Sequence, residues 1–450
     1  MTLRGWIGFL FLILLAGIGF LAWERAEGEA PTIDAPGALT IAASGRDVEL
    51  TLADAGSGLR SLRAAIRQAG EDSELVNKEY PGSLVGGAAS VEPTRTERLD
   101  IDPKALGLID GEAVLTIVVS DWSWRGSFRG NATELVIPVT IDRKKPRVQV
   151  LTGLSYVKRG GSDAVVYSVS ETPVRDGVQV GDEFFPGFPH PNLPGRRFAL
   201  FAVPTAAPEK ASIRVIAEDA AGNVGSGRWS VVLRERVLPK ASVSLPQQFL
   251  DVTVRDLAET HDLAGEDPQA NFRHINTVMR RENEAKIREV TANTSPTPFW
   301  EGAFDQLANS KVTSRFAEQR TYFAGGVNNS EAIHFGYDLA STAMAAVNAA
   351  NHGRVVYADD LGIYGNCVLV DHGLGLASLY GHLSQIDVSV GDEVRKGDTL
   401  GLSGATGLAG GDHLHFAIQV GGSYVDPLEW WDPSWVRKHV GVRLESASAE

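Results

Sequence analysis

The chain has 450 residues, 43% of them hydrophobic and 22% charged, enough for about three domains of ordinary size, so one active site need not account for all of it. A formal net charge of −14 argues against nucleic acid or an anionic membrane surface as the main partner, since both attract a basic face. The single cysteine, Cys367, rules out an intrachain disulfide and every cysteine-rich zinc pattern.

The first stretch, MTLRGWIGFLFLILLAGIGFLAWERAEGEA, sets Arg4 ahead of an apolar run from Gly5 to Trp23 and then turns acidic at Glu24, Glu27 and Glu29. Such a run is long enough to cross a bilayer as one helix. A cleaved secretory signal has a shorter core, roughly 7–15 residues, and ends at a small-residue site; here the late candidate Ala30 precedes Pro31. Trp6 and Trp23 stand where interfacial aromatics anchor a spanning helix. The expectation is an uncleaved anchor over residues 1–30, set in an inner membrane through residues 5–23. Positive-inside bias then puts the bulk of the chain in the periplasm or otherwise outside the cytoplasm.

From residue 31 to 240 short alternating runs rich in Val, Ile and Thr are broken by Gly, Asp, Asn and Pro, as in antiparallel sandwiches. VLTIVVSDWS followed by ELVIPVTID, and SIRVIAEDAAGN followed by WSVVL, read as one unit used twice: a strand ending in Asp, a loop and a returning strand. Two immunoglobulin-like β-sandwich modules are therefore expected, 31–145 and 146–240, split near Arg143–Pro146. They carry no compelling chemistry and read as spacers, with a protein-binding role as the alternative. The aromatic, Pro-rich loop Phe184 to Gly195 is the first place to look for binding, although such a loop is more often packed on its own sheet. Residues 241–309 read as a helical connector, with Phe272, Ile275, Met279, Ile287 and Val290 at helical spacings; Asp267 and Pro268 mark its start and Asn293 to Pro298 its end.

Most of the histidines follow residue 330, in three local patterns: HFGYD (His334 to Asp338), YGHLS (Tyr380 to Ser384) and HLHF (His413 to Phe416). Each is weak alone, because a single histidine is more often a packed or surface residue than a ligand. On a strand, HxH puts both imidazoles on one face and Leu414 on the other. Taken together, two imidazole nitrogens and one carboxylate oxygen make a three-ligand set that leaves a fourth position on zinc for water. Zinc chemistry of that kind is what amide hydrolysis requires. Around the patterns, residues 351–384 and 388–418 alternate short apolar strands with Gly-Asp turns, the pattern of a small, tightly turned β-fold.

These segments resemble the lysostaphin/LytM-type zinc metalloendopeptidases, which cut peptide bonds in bacterial peptidoglycan. The resemblance rests on HFGYDLA, LGIYGNCVLVDHG, LYGHLS, VGDEVRKGDTLG and GDHLHF in family order, and covers about a quarter of the chain. It implies an all-β LytM-like peptidase domain over residues 310–435, followed by a tail at 436–450. It also implies one Zn2+ per chain, held by His334, Asp338 and His415, with His382 and His413 as general base and stabilisers of the tetrahedral intermediate. The chain has no HExxH, so a neutral imidazole is a suitable base. Asn366 and Tyr380 are expected to line the substrate groove.

Two positions depart from the family pattern: Ala417 stands where Glu is frequent after HLHF, and Asp412 where Pro is frequent before HLH. Ala417 is expected to alter packing and not the ligand set, and Asp412 to cap its own loop. His352 and His372, in NHG and DHG turns, read as structural, and Trp430, Trp431 and Trp435 as closing the domain's end. The whole is expected to be mainly β. The activity expected is hydrolysis of peptidoglycan peptide stems, against a non-catalytic wall-binding regulator of another hydrolase as the alternative. The VGDEVRKGDTLG turns also resemble biotinyl and lipoyl carriers, but the modified lysine of their hairpin tip is missing. Lying just before the peptidase, the connector is further expected to cover the groove.

Overall fold

The structure, a computed structural model, describes residues 3–89, 94–263, 265 and 267–445. The last five residues of the expected tail and the first two of the expected anchor lie outside them. The chain is mainly β, with an apolar helix Leu3–Arg25 at its start. From Trp6 to Arg25 that helix has a mean hydropathy of 2.3 and buries nothing against protein, so by length and composition it could cross a membrane.

The chain divides into two compact units, residues 1–145 with 218–224, and 146–217 with 225–450. In the first, a three-stranded sheet (Thr32–Asp34, Arg46–Ala53, Thr94–Ile101) and a five-stranded sheet centred on Gly111–Asp121 enclose one core. Period-two alternation explains it: Val48, Leu50 and Leu52 of one sheet and Leu115, Ile117 and Val119 of the other all point inward. The strand-ending Asp121 and Asp219 have the same task. Asp121 accepts from Ser123 N at 2.9 Å and from Asn131 N and Nδ2 at 2.7 and 2.8 Å. Asp219 accepts from Ala221 N at 2.9 Å and from Asn223 N and Nδ2 at 2.8 and 2.9 Å. Each carboxylate thus folds the loop that follows it, which is why the sequence shows the same phrase twice.

In the second unit one continuous core runs from Val165, Phe198 and Phe201, through Leu250, Phe272, Ile275 and Ile287, to Leu369, Leu379 and Ile418. The helical segment is therefore part of the same packed body as the strands after it. Its main helix starts at Pro268, where Asp267 caps the Gln269 N–H at 2.9 Å, and runs to Ala292 through a π turn at Ile275–Met279. The loop 184–195 is packed as well. His190 is buried with Nε2 2.7 Å from the Arg443 carbonyl, and Asn192 donates to the Leu444 carbonyl at 2.6 Å.

The C-terminal part is built on an antiparallel sheet ordered Lys311–Ser314, Tyr337–Ala340, Leu414–Val420, Leu376–Leu383, Asn366–Gly373, Gly353–Asp360, Glu393–Val394. Beside it Lys240–Ser244 adds in parallel to the hairpin Glu318–Ala324 and Val327–His334. Trp430 is fully buried and donates to Ser162 Oγ at 3.1 Å, while Trp431 stacks on Phe416 with ring centroids 5.5 Å apart. The tryptophans thus pack, as indoles usually do.

Candidate metal centre

Strand register brings the central residues together. Asp338 lies directly opposite His415 on neighbouring strands, and His415 in turn opposes Gly381, the residue before His382. Leu414 and Phe416 are buried on the opposite face, so the HxH alternation holds. His334 ends the hairpin strand Val327–His334 and reaches the same point across the turn through Phe335 and Gly336. A Cβ on Gly336 would lie 2.6 Å from both Cε1 and Nε2 of His415, so the turn passes the imidazole only as glycine.

Three donor atoms converge here. His334 Nε2 is 2.8 Å from Asp338 Oδ1 and 3.0 Å from His415 Nδ1, and His415 Nδ1 is 2.9 Å from Asp338 Oδ1. The Nδ1 of His334 lies 3.0 Å from the Arg315 carbonyl. A carbonyl only accepts, so Nδ1 carries the proton and the Nε2 lone pair faces the cluster. The other oxygen of Asp338 takes a 3.2 Å hydrogen bond from Arg320, which is also held by Glu318 at 2.8 Å. Two imidazoles and a carboxylate, with the outer atoms of His334 and Asp338 tied down, fit a zinc-type ion, and no other described side chain is needed to complete a three-ligand set.

His382 and His413 stand beside this cluster, their ring centroids 4.8 Å apart and His382 5.8 Å from His415. His382 sits in a β-bulge: between the pairs Asn366–Leu383 and Val368–Tyr380 its strand has two residues, Gly381 and His382, against Cys367 alone. With φ at +63°, a conformation uncommon outside glycine, His382 departs from the strand's alternation toward the site. Its Nδ1 faces the Thr406 carbonyl at 2.8 Å, and that of His413 the Gly411 carbonyl at 2.8 Å, so both present Nε2 to the site. Burial, reinforced by repulsion from His413 and His415, pushes His382 down to about 3. Burial likewise takes His415 to about 4, whereas His413, despite burial, is raised by the nearby Asp338 carboxylate. Burial would raise Asp338, but the surrounding imidazoles hold it well below the usual carboxylate range.

All five of these residues line one cavity of about 360 Å³. The groove expectations for Asn366 and Tyr380 meet a different placement. Tyr380 is 1% exposed; its hydroxyl accepts from Ala350 N at 2.8 Å and from Ser378 Oγ at 3.0 Å, because its place on the strand turns it into the core. Asn366 uses its backbone N–H to hold Thr406 Oγ1 at 3.0 Å and is absent from the cavity wall. Tyr364 takes the wall position, its ring 5.5 Å from that of His415. His352 and His372 lie away from the cavity: the His352 carbonyl, the His372 ring and Ser378 Oγ form a chain with links of 2.6 and 2.7 Å. Asp412 staples the neighbouring loop by accepting from Met344 N at 2.9 Å and Ser403 Oγ at 2.6 Å.

Arg320, Gly336 and Tyr364 were not singled out by the sequence reading. The Gly of HFGYD and the Tyr of GIYGN lay inside quoted motifs, but Arg320 has no local signal; only the pairing of separate strands brings it to Asp338.

The antiparallel sheet thus carries a His–Asp–His group that could hold a metal ion, beside two further histidines. Residues 332–427 match the model for peptidase family M23, and the C-terminal domain of this chain belongs to that family. Over 96 residues it is 35% identical to the DD-carboxypeptidase/endopeptidase Mpg of Neisseria meningitidis, a match covering 21% of this chain and 22% of that one. The peptidoglycan DD-endopeptidase ShyA of Vibrio cholerae is 34% identical over 119 residues, 26% of this chain and 27% of that protein. The murein hydrolase activator EnvC of Escherichia coli is 44% identical over 84 residues, 19% and 20% of the two chains. The chain thus spans only about a fifth to a quarter of the length of these relatives.

Proposed function

We propose that the chain is a membrane-anchored zinc metalloendopeptidase of the cell envelope, with one Zn2+ per chain, that hydrolyses peptide crosslinks of peptidoglycan. The observation that carries this reading is the convergence of His334 Nε2, Asp338 Oδ1 and His415 Nδ1 within 3.0 Å of one another, with His382 and His413 on the wall of the same cavity. Held by these three donors, zinc supplies the Lewis acidity that lowers the pKa of a water and polarises the scissile carbonyl. His382, neutral at physiological pH, takes the proton of the attacking water on Nε2 and returns it to the departing amine. His413, drawn toward its protonated form by Asp338, donates a hydrogen bond to the oxygen that becomes negative. The helix Leu3–Arg25 serves as the anchor and the first β-rich module as an immunoglobulin-like spacer, while the second module is packed into the core of the unit that carries the site.

Digestion of purified cell-wall sacculi tests the proposal: the full chain in detergent releases soluble fragments, a chelator stops the release and added zinc restores it. A second reading, a non-catalytic regulator of another hydrolase, draws on the likeness to a protein named murein hydrolase activator. Zinc bound at one per chain without any release of fragments would favour that reading.

A further inference from the structure

Around the catalytic cavity stand two guanidinium groups, and they are used differently. Arg320 is neutralised by Glu318 and Asp338, with contacts of 2.8 and 3.2 Å. Arg280, the first residue of the helix segment Arg280–Ala292, lines the same cavity and forms no ion pair among the described residues, in a chain whose net charge is −14. Glu284, one turn further along, makes no direct ion pair with it among the described residues: burial raises its carboxyl, and Arg280 and Arg288 oppose that rise only from a distance.

The Arg280 side chain is nevertheless fixed. Its Nη2 donates to Asn276 Oδ1 at 2.8 Å and its Nε to the Asn276 carbonyl at 3.3 Å. Asn276 is itself buried, and its amide donates to Ser330 Oγ at 2.9 Å. Ser330, Asn276 and Arg280 therefore form a chain that orients the guanidinium, with no hydrogen-bond partner for Nη1 among the described residues. Tyr364 lines the same cavity and packs its ring 5.5 Å from that of His415, so Arg280 and the ligand cluster face one shared space.

An oriented, unpaired guanidinium on a concave, half-enclosed wall is built to take a carboxylate, for which its planar fork is matched. We propose that Arg280 is a specificity-determining residue that binds a free carboxylate next to the scissile amide. The substrates selected are branched peptides with an acid group on that side, and neutral bridges such as oligoglycine are disfavoured. The inference rests on the peptidase reading of the site.

The test uses the full zinc-loaded chain and two synthetic crosslinked peptides that differ only in whether the carboxyl group flanking the scissile bond is free or amidated. The wild-type chain is expected to prefer the free acid by roughly 10- to 100-fold in kcat/KM, the scale of one charge-assisted contact. Arg280→Gln should bring the ratio close to one with the amidated peptide still cut, and Arg280→Lys should restore part of it. A wild-type ratio near one, or a ratio unchanged in Arg280→Gln, would overturn the proposal. Equilibrium binding of the same two peptides separates this from failure of the peptidase reading. If neither peptide is cut but the wild-type chain binds the acid more tightly and Arg280→Gln does not, the anchor stands and the catalytic reading falls. Equal binding of both peptides by the wild-type chain overturns the anchor.

Discussion

His415 sits where strand register, ligand geometry and backbone packing meet, and substitutions around it separate binding from chemistry. His415→Ala removes a donor from the three-atom cluster, and the zinc content measured by mass spectrometry should fall from one per chain toward zero. Gly336→Ala should have the same effect without touching a ligand, because its Cβ would press on the imidazole at 2.6 Å. Arg320→Met frees one oxygen of Asp338 and should weaken zinc by about 10–100-fold in a competition titration, as loss of a supporting contact does. His382→Ala should keep the metal and lower kcat by about 10²–10⁴-fold. The five residues that meet at the cavity were legible as a group because HFGYD, YGH and HLH are local phrases. Arg320 was not, since it lies outside any local motif and its meaning comes from Asp338, a residue of another sheet.

At the scale of elements, the bulge at His382 and the buried chain through His372 show what a period-two reading misses. Tyr380 is two residues from His382 on the same strand, yet the extra residue of the bulge breaks the alternation between them, and Tyr380 faces the core and not the groove. His372 is fully buried and burial holds it down at about 4, below its ordinary 6.5. The unfolded chain then binds a proton that the folded chain refuses. Stability is complete above pH 6.5 and is lost as pH falls from there toward 4, by on the order of 3 kcal/mol for this group. Urea unfolding of a protein lacking residues 1–30 between pH 7 and 4 should show a slope to which His372 adds that share beside His382 and His415, and His372→Gln should make it shallower; an unchanged slope would assign the acid sensitivity elsewhere. The connector was readable as a helix from its apolar spacing and its Asp-Pro start, but its packing was not. Phe272, Ile275 and Met279 belong to the catalytic core, so it forms a wall of the cavity and is not a detachable cover. Phe272→Ala should destabilise the second unit by about 3–5 kcal/mol in the same unfolding experiment. A fragment beginning at residue 310, which lacks these core side chains, should aggregate.

For the whole molecule, the mainly β character and the apolar first helix were plain in the sequence because both depend on local pattern. The division of the chain was not: the contact-dense second unit joins a β-rich module, the helices and the metal centre through one core, which no local composition shift marks. The five cavity residues thus stand on one continuous core, as a precise constellation requires. The central claim is that this unit is a working hydrolase and not a binding relic. Mass spectrometry of the fragments released from purified sacculi by the zinc-loaded full chain, beside His382→Ala with equal zinc content, tests it most directly. The account predicts fragments with cleaved peptide crosslinks and intact glycan strands from the wild-type chain and nearly none from the variant. Equal yields from the two, or no cleaved crosslinks from a wild-type chain that holds its zinc, would contradict it.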